Sequence, residues 1–174
     1  MINATIWLTG ISSSGKTTLA LKLKNDLKLI DIKNTVIIDG DIIRKEIVNY
    51  KYDINNREEM GLLKANIARE ENLKGNIAIV TGIAAKKSWR ATYRKIIKNY
   101  FEVFLDCSVE ACVDRDQKNI YQKAIKGEYD NFPGVTEIYE VSRKVDLIIN
   151  TEKNSIEESS KILMQNVIKF IDYK

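Results

Sequence analysis

The residues best suited to chemistry lie near the N terminus, in the stretch GISSSGKTT at residues 10–18. This stretch matches the pattern G-x-x-x-x-G-K-[ST], which fixes four residue types at set spacings. In that pattern the glycines let backbone N–H groups converge on phosphate oxygens, the lysine neutralises the β- and γ-phosphates, and the threonine hydroxyl can hold Mg²⁺. The alternative is a glycine-containing turn before an amphipathic helix. We predict a nucleoside triphosphate site formed by Gly10, Ser12, Ser13, Ser14, Gly15, Lys16, Thr17 and Thr18.

A second group of charged residues follows in DGDIIR, residues 39–44. Asp39 and Asp41 come directly after an apolar run, and the carboxyl ends of strands are where open α/β sheets bind ligands. Asp41 could orient Mg²⁺ or accept a proton from an attacking hydroxyl, and Arg44 could bind a phosphate. The alternative is a tight turn in which Asp41 caps the helix that follows.

These residues need a scaffold, and the apolar pattern predicts one. Longer segments of helical spacing separate five short apolar runs, which lie at residues 4–9, 35–39, 76–81, 101–106 and 145–150. This alternation predicts an α/β fold with a five-stranded parallel sheet and helices on both faces. Ser155 and Glu158 form a capping-box pattern that marks the start of the last helix. We expect one domain over residues 1–174, with an aperiodic mobile loop around Pro133 over residues 127–140, inside a longer lid over residues 115–140.

Composition excludes several classes of protein. The chain has 174 residues, a net charge of +4 and no histidine, which rules out catalysis by imidazole. Two cysteines, Cys107 and Cys112, supply neither a zinc set nor a disulfide framework, and we expect both to be buried thiols. No apolar run approaches the roughly 20 residues that a membrane span needs. We therefore expect a cytoplasmic protein that binds a small anionic substrate and neither nucleic acid nor membrane.

Taken in order, the motifs resemble those of adenylylsulfate kinases, which transfer phosphate from ATP to the 3′-hydroxyl of adenosine 5′-phosphosulfate. The resemblance spans nearly the whole chain and includes WLTGISSSGKTTLA, DGDIIR, NIAREENLKGNIAIVTGI, EVFLDCSVEACVDRDQKNIYQKAIKGE, FPGVTEIYE and VDLIIN. It implies a P-loop NTPase domain similar to nucleoside monophosphate kinases, with ATP and Mg²⁺ as substrate and cofactor. The family also suggests a homodimer.

The same resemblance implies roles for individual residues. Asp41, Lys16 and Lys118 would be catalytic, Thr17 and Asp41 would lie at Mg²⁺, and Arg115 would lie near the ATP base. Phe132 would stack on the acceptor base, for which the alternative is hydrophobic anchoring of its loop. The implied acceptor-binding set is Asp41, Arg44, Asn66, Ile83, Lys118 and Phe132.

The chain departs from the family pattern on the acceptor side. Family members usually have Phe-Ile-Ser-Pro after the third strand, where this chain has Gly82, Ile83, Ala84 and Ala85. Leu63 stands where an arginine is usual, three residues before Asn66. We therefore keep two acceptors open, adenosine 5′-phosphosulfate and the cytidine diphosphoramidate used by a related branch in capsule decoration. A non-catalytic nucleotide-binding module is the alternative from another class.

Overall fold

The computed structural model describes residues 3–44, 54–141 and 144–172. Strands and helices alternate along most of these ranges. In chain order they are β1 (Ala4–Thr9), α1 (Lys16–Leu29), β2 (Thr35–Asp39), α2 (Gly40–Arg44), α3 (Ile54–Leu73), β3 (Ile77–Gly82), α4 (Lys87–Ile96), β4 (Tyr100–Asp106), α5 (Val109–Asp114), α6 (Ile120–Ile125), β5 (Leu147–Asn150) and α7 (Ile156–Asp172).

The described strands form one parallel sheet in the order β2-β3-β1-β4-β5. This confirms the predicted five-stranded parallel sheet, with each strand within two residues of its apolar run. Because all strands point the same way, the segments that follow β1, β2 and β3 meet at one edge. The phosphate loop and the acidic turn are thereby brought together.

Alternation along β1 places apolar side chains on both faces of the sheet. Ile6 and Leu8 are fully buried in a cluster that includes residues of α1 and α7. Trp7 points to the opposite face, where it packs with Ala65 of α3 and residues of α4. Helices therefore cover both faces, as the α/β pattern predicts.

The capping box of α7 is confirmed. The Glu158 backbone N–H donates to Ser155 Oγ at 3.2 Å, and the Ser155 N–H donates to Glu158 Oε2 at 2.8 Å. Two N–H groups at the helix start thus have side-chain partners, which is typically worth about 1 kcal/mol.

Residues 115–140 form structure outside the sheet. Tyr121 and Phe132 belong to a third apolar cluster with Cys112, and the Phe132 carbonyl accepts backbone N–H bonds from residues 135–137. Within the predicted loop at 127–140, residues 132–137 are therefore a hydrogen-bonded turn. Cys112 is buried as predicted, but Cys107 is only half-buried, and both thiols are free. No helix in the three described ranges is both long and apolar enough to span a bilayer.

Candidate active site

A cleft of about 1120 Å³ opens at the carboxyl edge of the sheet. It lies between the loop after β1, helices α2 and α3, and the segment after β4. Most of the predicted site residues line it. They are Ser12, Ser13, Ser14, Gly15, Lys16, Thr17, Thr18, Asp41, Arg44, Ile83, Arg115, Lys118 and Phe132.

The loop at residues 10–15 has a backbone that favours glycine at its two ends. Gly10 has a φ of 151°, and a methyl group on it would lie 2.8 Å from the Leu105 carbonyl oxygen and from Ser14 Oγ. Gly15, at the start of α1, has a φ of 94°. No side chain among the described residues caps this helix start, so its N–H groups are available to an anion.

Lys16 is held inside this loop. Its Nζ donates to the Ile11 carbonyl oxygen at 2.5 Å and to Ser14 Oγ at 3.4 Å. Burial lowers the pKa of Lys16 to about 8, against the opposing effect of nearby acidic groups that include Asp39. The ammonium is therefore mostly charged at neutral pH, and an anion beside it would stabilise that charge.

Asp39, at the end of β2, is the carboxylate that meets Thr17. Its Oδ2 accepts from Thr17 Oγ1 at 3.0 Å and from Thr81 Oγ1 at 2.8 Å, while Oδ1 accepts from the Asp41 N–H at 2.7 Å. A threonine hydroxyl beside a carboxylate at a strand end is a donor set that suits Mg²⁺ bound to phosphates. Sequence reasoning assigned this position to Thr17 and Asp41. Asp39 could have been selected from the sequence, because it is the last residue of the apolar run that forms β2.

Asp41 lies in the first turn of α2, with its side chain about half exposed. The helix begins at Gly40, so Asp39 caps it and the alternative cap by Asp41 is wrong. Asp41 Oδ1 accepts from the Arg44 guanidinium, and Oδ2 accepts from Lys118 Nζ at 3.1 Å. The Lys118 pair crosses the cleft from α2 to the segment after β4.

Arg115 lies on the β4 and β5 side of the phosphate loop. Its guanidinium donates to the Thr151 carbonyl oxygen at 3.0 Å and to Cys107 Sγ at 3.4 Å. Thr151 Oγ1 in turn donates to the Ser14 carbonyl oxygen at 3.0 Å. The arginine is thereby linked through one residue to the loop predicted to bind phosphates.

Asn66 is not among the residues that line the cleft, and its contact with the acceptor stays a prediction. It is exposed on α3 and lies about 200° around the helix from the buried Lys64. The cleft face of α3 instead has Arg57, Met60, Gly61 and Lys64, at helical spacing. Arg57 donates to Glu137 Oε2 at 3.1 Å. An arginine thus faces the cleft from α3 although none stands at position 63.

Phe132 lines the cleft but is 7% exposed. Its ring packs edge-on against Tyr121 at 5.0 Å and stacks on Tyr129 at 5.9 Å between centroids. These contacts match the anchoring alternative, so base stacking by Phe132 stays a prediction. Tyr129 is half-buried and also lines the cleft, and sequence reasoning did not select it.

A parallel sheet with a phosphate loop after its β1 strand and a carboxylate at the end of β2, on the far side of β3, defines a P-loop kinase. The sequence model described as adenylylsulphate kinase matches residues 2–150. The chain belongs to this family of ATP-dependent phosphotransferases.

Individual relatives support this membership. The chain is 37% identical to a cytidine diphosphoramidate kinase of Campylobacter jejuni, over 93% of this chain and 95% of that protein. It is 33% identical to an adenylyl-sulfate kinase of Halothermothrix orenii, over 98% and 90% of the two chains. The Mycobacterium tuberculosis APS kinase CysC, in complex with AMPPNP and APS, superposes with a TM-score of 0.86 at 29% identity, over 98% of each chain.

Proposed function

We propose that this protein transfers the γ-phosphoryl group of ATP to the 3′-hydroxyl of a nucleotide modified at its 5′ end. The observation that carries the proposal is that Lys16 and Thr17 open into the same cleft as Asp41. That cleft, of about 1120 Å³, is larger than a typical single-ligand pocket of roughly 300–1000 Å³ and suits two nucleotides.

Transfer in this cleft depends mainly on positioning and charge. The backbone N–H groups at the start of α1 and the Lys16 ammonium would bind the β- and γ-phosphates of ATP and offset charge that develops there. Asp41 would then align the acceptor hydroxyl or take its proton. For this, the hydrogen bond from Lys118 to Asp41 Oδ2 must be replaced by one from the acceptor hydroxyl. Lys118 could then contact a phosphate.

Magnesium belongs to the proposal as well. Thr17 would be a direct ligand, and Asp39, which already accepts from the Thr17 hydroxyl, would hold the ion or its water. When bound, Mg²⁺ supplies charge neutralisation at the β- and γ-phosphates.

Two acceptors follow from the relatives. Adenosine 5′-phosphosulfate is the first candidate, because curated adenylyl-sulfate kinases are 30–34% identical over most of this chain and the superposed Mycobacterium tuberculosis enzyme holds APS. Cytidine diphosphoramidate is the second, favoured by the 37% identity to the Campylobacter jejuni kinase. Both acceptors are nucleotides with an anionic, phosphate-linked 5′ substituent.

We propose that the lid is shorter than residues 115–140. Its C-terminal end is anchored, since Tyr139 shares a 2.7 Å hydrogen bond with Thr9, and Glu140 Oε2 accepts from the Lys87 N–H at 2.9 Å. Residues 139 and 140 are therefore fixed to the rest of the domain and do not belong to the part that moves. A homodimer and a cytoplasmic location remain predictions.

A coupled assay of ADP release tests the proposed function. Purified protein with Mg²⁺ and ATP is given adenosine 5′-phosphosulfate, cytidine diphosphoramidate or neither, and Lys16→Ala serves as the inactive control. We expect acceptor-dependent ADP release with one of the two. ATP binding without release under all three conditions would instead identify a non-catalytic nucleotide-binding module.

A further inference from the structure

Lys64 of α3 is a buried lysine without an acidic partner among the described residues. It is 5% exposed, and its Nζ donates to the Thr81 carbonyl oxygen at 2.8 Å and lies 5.6 Å from the centroid of the Trp7 ring. No carboxylate of the described ranges lies within 4 Å of it. Lysine is rarely this buried without an anion, and an ammonium has two further N–H donors beyond the one used here.

Two glycines create the space that Lys64 occupies. A methyl group on Gly82 would overlap Lys64 Nζ. On Gly40 it would lie 3.5 Å from that nitrogen and 3.2 Å from Arg44 Nη1. The two cations therefore meet over Gly40, and all four residues line the cleft.

The charges around Lys64 leave a local excess of positive charge. The groups that face it are Asp39 from β2, Arg44 from α2 and Lys16 from α1, while β1 and β3 bring the Trp7 ring and the Thr81 carbonyl. The Asp39 carboxylate already accepts three hydrogen bonds. Burial first, and then the charge of Arg44, lower the pKa of Lys64 to about 7. Arg44 is paired with Asp41. Lys64, in contrast, has no carboxylate within 4 Å among the described residues and keeps two N–H donors beyond the one given to Thr81, which favours an anionic ligand beside it.

The sheet order assigns this anion to the acceptor rather than to ATP. Lys64 contacts the end of β3, on one side of β1, whereas Arg115 and Thr151 follow β4 and β5 on the other side. The phosphate loop after β1 lies between them. The donor nucleotide therefore extends toward β4 and β5, and the acceptor toward β3 and β2.

We propose that Lys64 determines acceptor specificity by binding an anionic oxygen of the acceptor's 5′ substituent. This rests on the proposed function, and it assigns one residue of this chain to the anionic 5′ substituent of the acceptor. Gly82 is a positioning residue in this arrangement, because any side chain there would displace the ammonium.

Calorimetry with inorganic pyrophosphate as the anion probe tests the assignment directly. The protein is first saturated with Mg²⁺ and AMPPNP, so that the donor site is filled. We expect Lys64→Met to weaken pyrophosphate binding about 10- to 100-fold, the range for one charge-assisted hydrogen bond. Lys74→Met, at an exposed lysine just beyond α3 that pairs with Glu71, should bind as the wild type does. Gly82→Ala should mimic Lys64→Met without removing the lysine.

The pH dependence separates binding by Lys64 from a packing role. Lys64 is charged in the free protein only below its pKa of about 7, and a bound anion raises that pKa. The ratio of wild-type to Lys64→Met affinity should therefore fall as pH rises from 6.5 to 8.5. Equal affinity of these two proteins, a pH-independent ratio, or no pyrophosphate binding by wild type would each overturn the proposal.

Steady-state kinetics distinguish the role of Lys64 from the proposed kinase function on which it rests. With an active acceptor, Lys64→Met should raise the acceptor KM and leave the ATP KM unchanged, and the reverse pattern would move Lys64 to the donor site and overturn the inference. If wild type turns over neither acceptor, the proposed function fails, while the pyrophosphate comparison still decides the role of Lys64.

Discussion

ATP binding to the phosphate loop should take up a proton from solution at alkaline pH. In the free protein Lys16 has a pKa of about 8, because burial disfavours its charge. Triphosphate beside the ammonium stabilises the charged form and raises the pKa. Below pH 8 the lysine is charged before and after binding, whereas above pH 8 the free protein must gain a proton to bind. Affinity for ATP should therefore fall as pH rises through 8.

The magnitude follows from that pKa. If bound Lys16 is fully charged, binding takes up about 0.2 proton at pH 7.5 and about 0.9 proton at pH 9, and affinity loses nearly tenfold per pH unit above 8. Isothermal titration calorimetry in two buffers of different ionisation enthalpy measures this uptake. Lys16→Arg, charged at every pH used, should abolish it.

One other group near the loop could contribute to the uptake. Lys64 also has a lowered pKa, to about 7, so it is neutral in most molecules at both pH values and would take up a proton if bound ATP stabilised its charge. Repeating the titration with Lys64→Met measures its share. Negligible proton uptake at both pH 7.5 and pH 9 would refute the reasoning, because it would mean that Lys16 is fully charged in the free protein.

Three further predictions concern catalysis and stability. Asp41→Asn should lower kcat about 100-fold or more while ATP affinity changes less than twofold, because Asp41 acts on the acceptor hydroxyl; ADP release and calorimetry measure the two effects. Gly10→Ala should destabilise the fold by about 1–3 kcal/mol in urea unfolding and weaken ATP binding, because its methyl group meets two oxygens at 2.8 Å. Arg90→Met should cost about 3–5 kcal/mol in urea unfolding, because it leaves the buried Glu102 carboxylate without its 3.0 Å partner.

Matched controls accompany these variants. Asp31→Asn, at an exposed aspartate after α1, should leave kcat unchanged. Arg69→Met, at an exposed arginine of α3, should change the free energy of unfolding by less than about 0.5 kcal/mol. An Asp41→Asn protein with full kcat would remove Asp41 from the reaction. Arg90→Met with wild-type stability would show that Arg94, which lies 3.5 Å from Glu102, compensates fully.

Local patterns in the sequence predict most of the scaffold. The β-branched runs, the phosphate loop and the Ser155–Glu158 capping box each depend on residues close together in the chain, and the structure confirms all of these elements. The roles of the loop residues toward ATP remain predictions, although the loop and the acidic turn do line one cleft.

The sequence is less informative where the answer depends on helix rotation or on neighbours far away in the chain. Asn66 was selected from the motif NIAREENLKGNIAIVTGI, yet the face of a helix that meets the cleft is set by packing across the whole helix. The sequence does not predict a site at Lys64, because most lysines are solvated and the glycine that makes room for its ammonium, Gly82, lies 18 positions away in the chain. Asp39 is buried and Asp41 is exposed although both are aspartates. The difference depends on where β2 ends, which the residue types alone do not determine.

The interactions of Arg90 bear on how the acceptor wall can differ between relatives. Its guanidinium joins α4 to Glu102 of β4 and also donates to the carbonyl oxygens of Ala84 and Glu140. Those last two acceptors belong to the main chain, so the hydrogen bonds do not depend on the side chains at these positions. The side chain of Ala84, which lines the cleft, can therefore be exchanged for another that tolerates its positive φ while the hydrogen bonds of Arg90 stay the same.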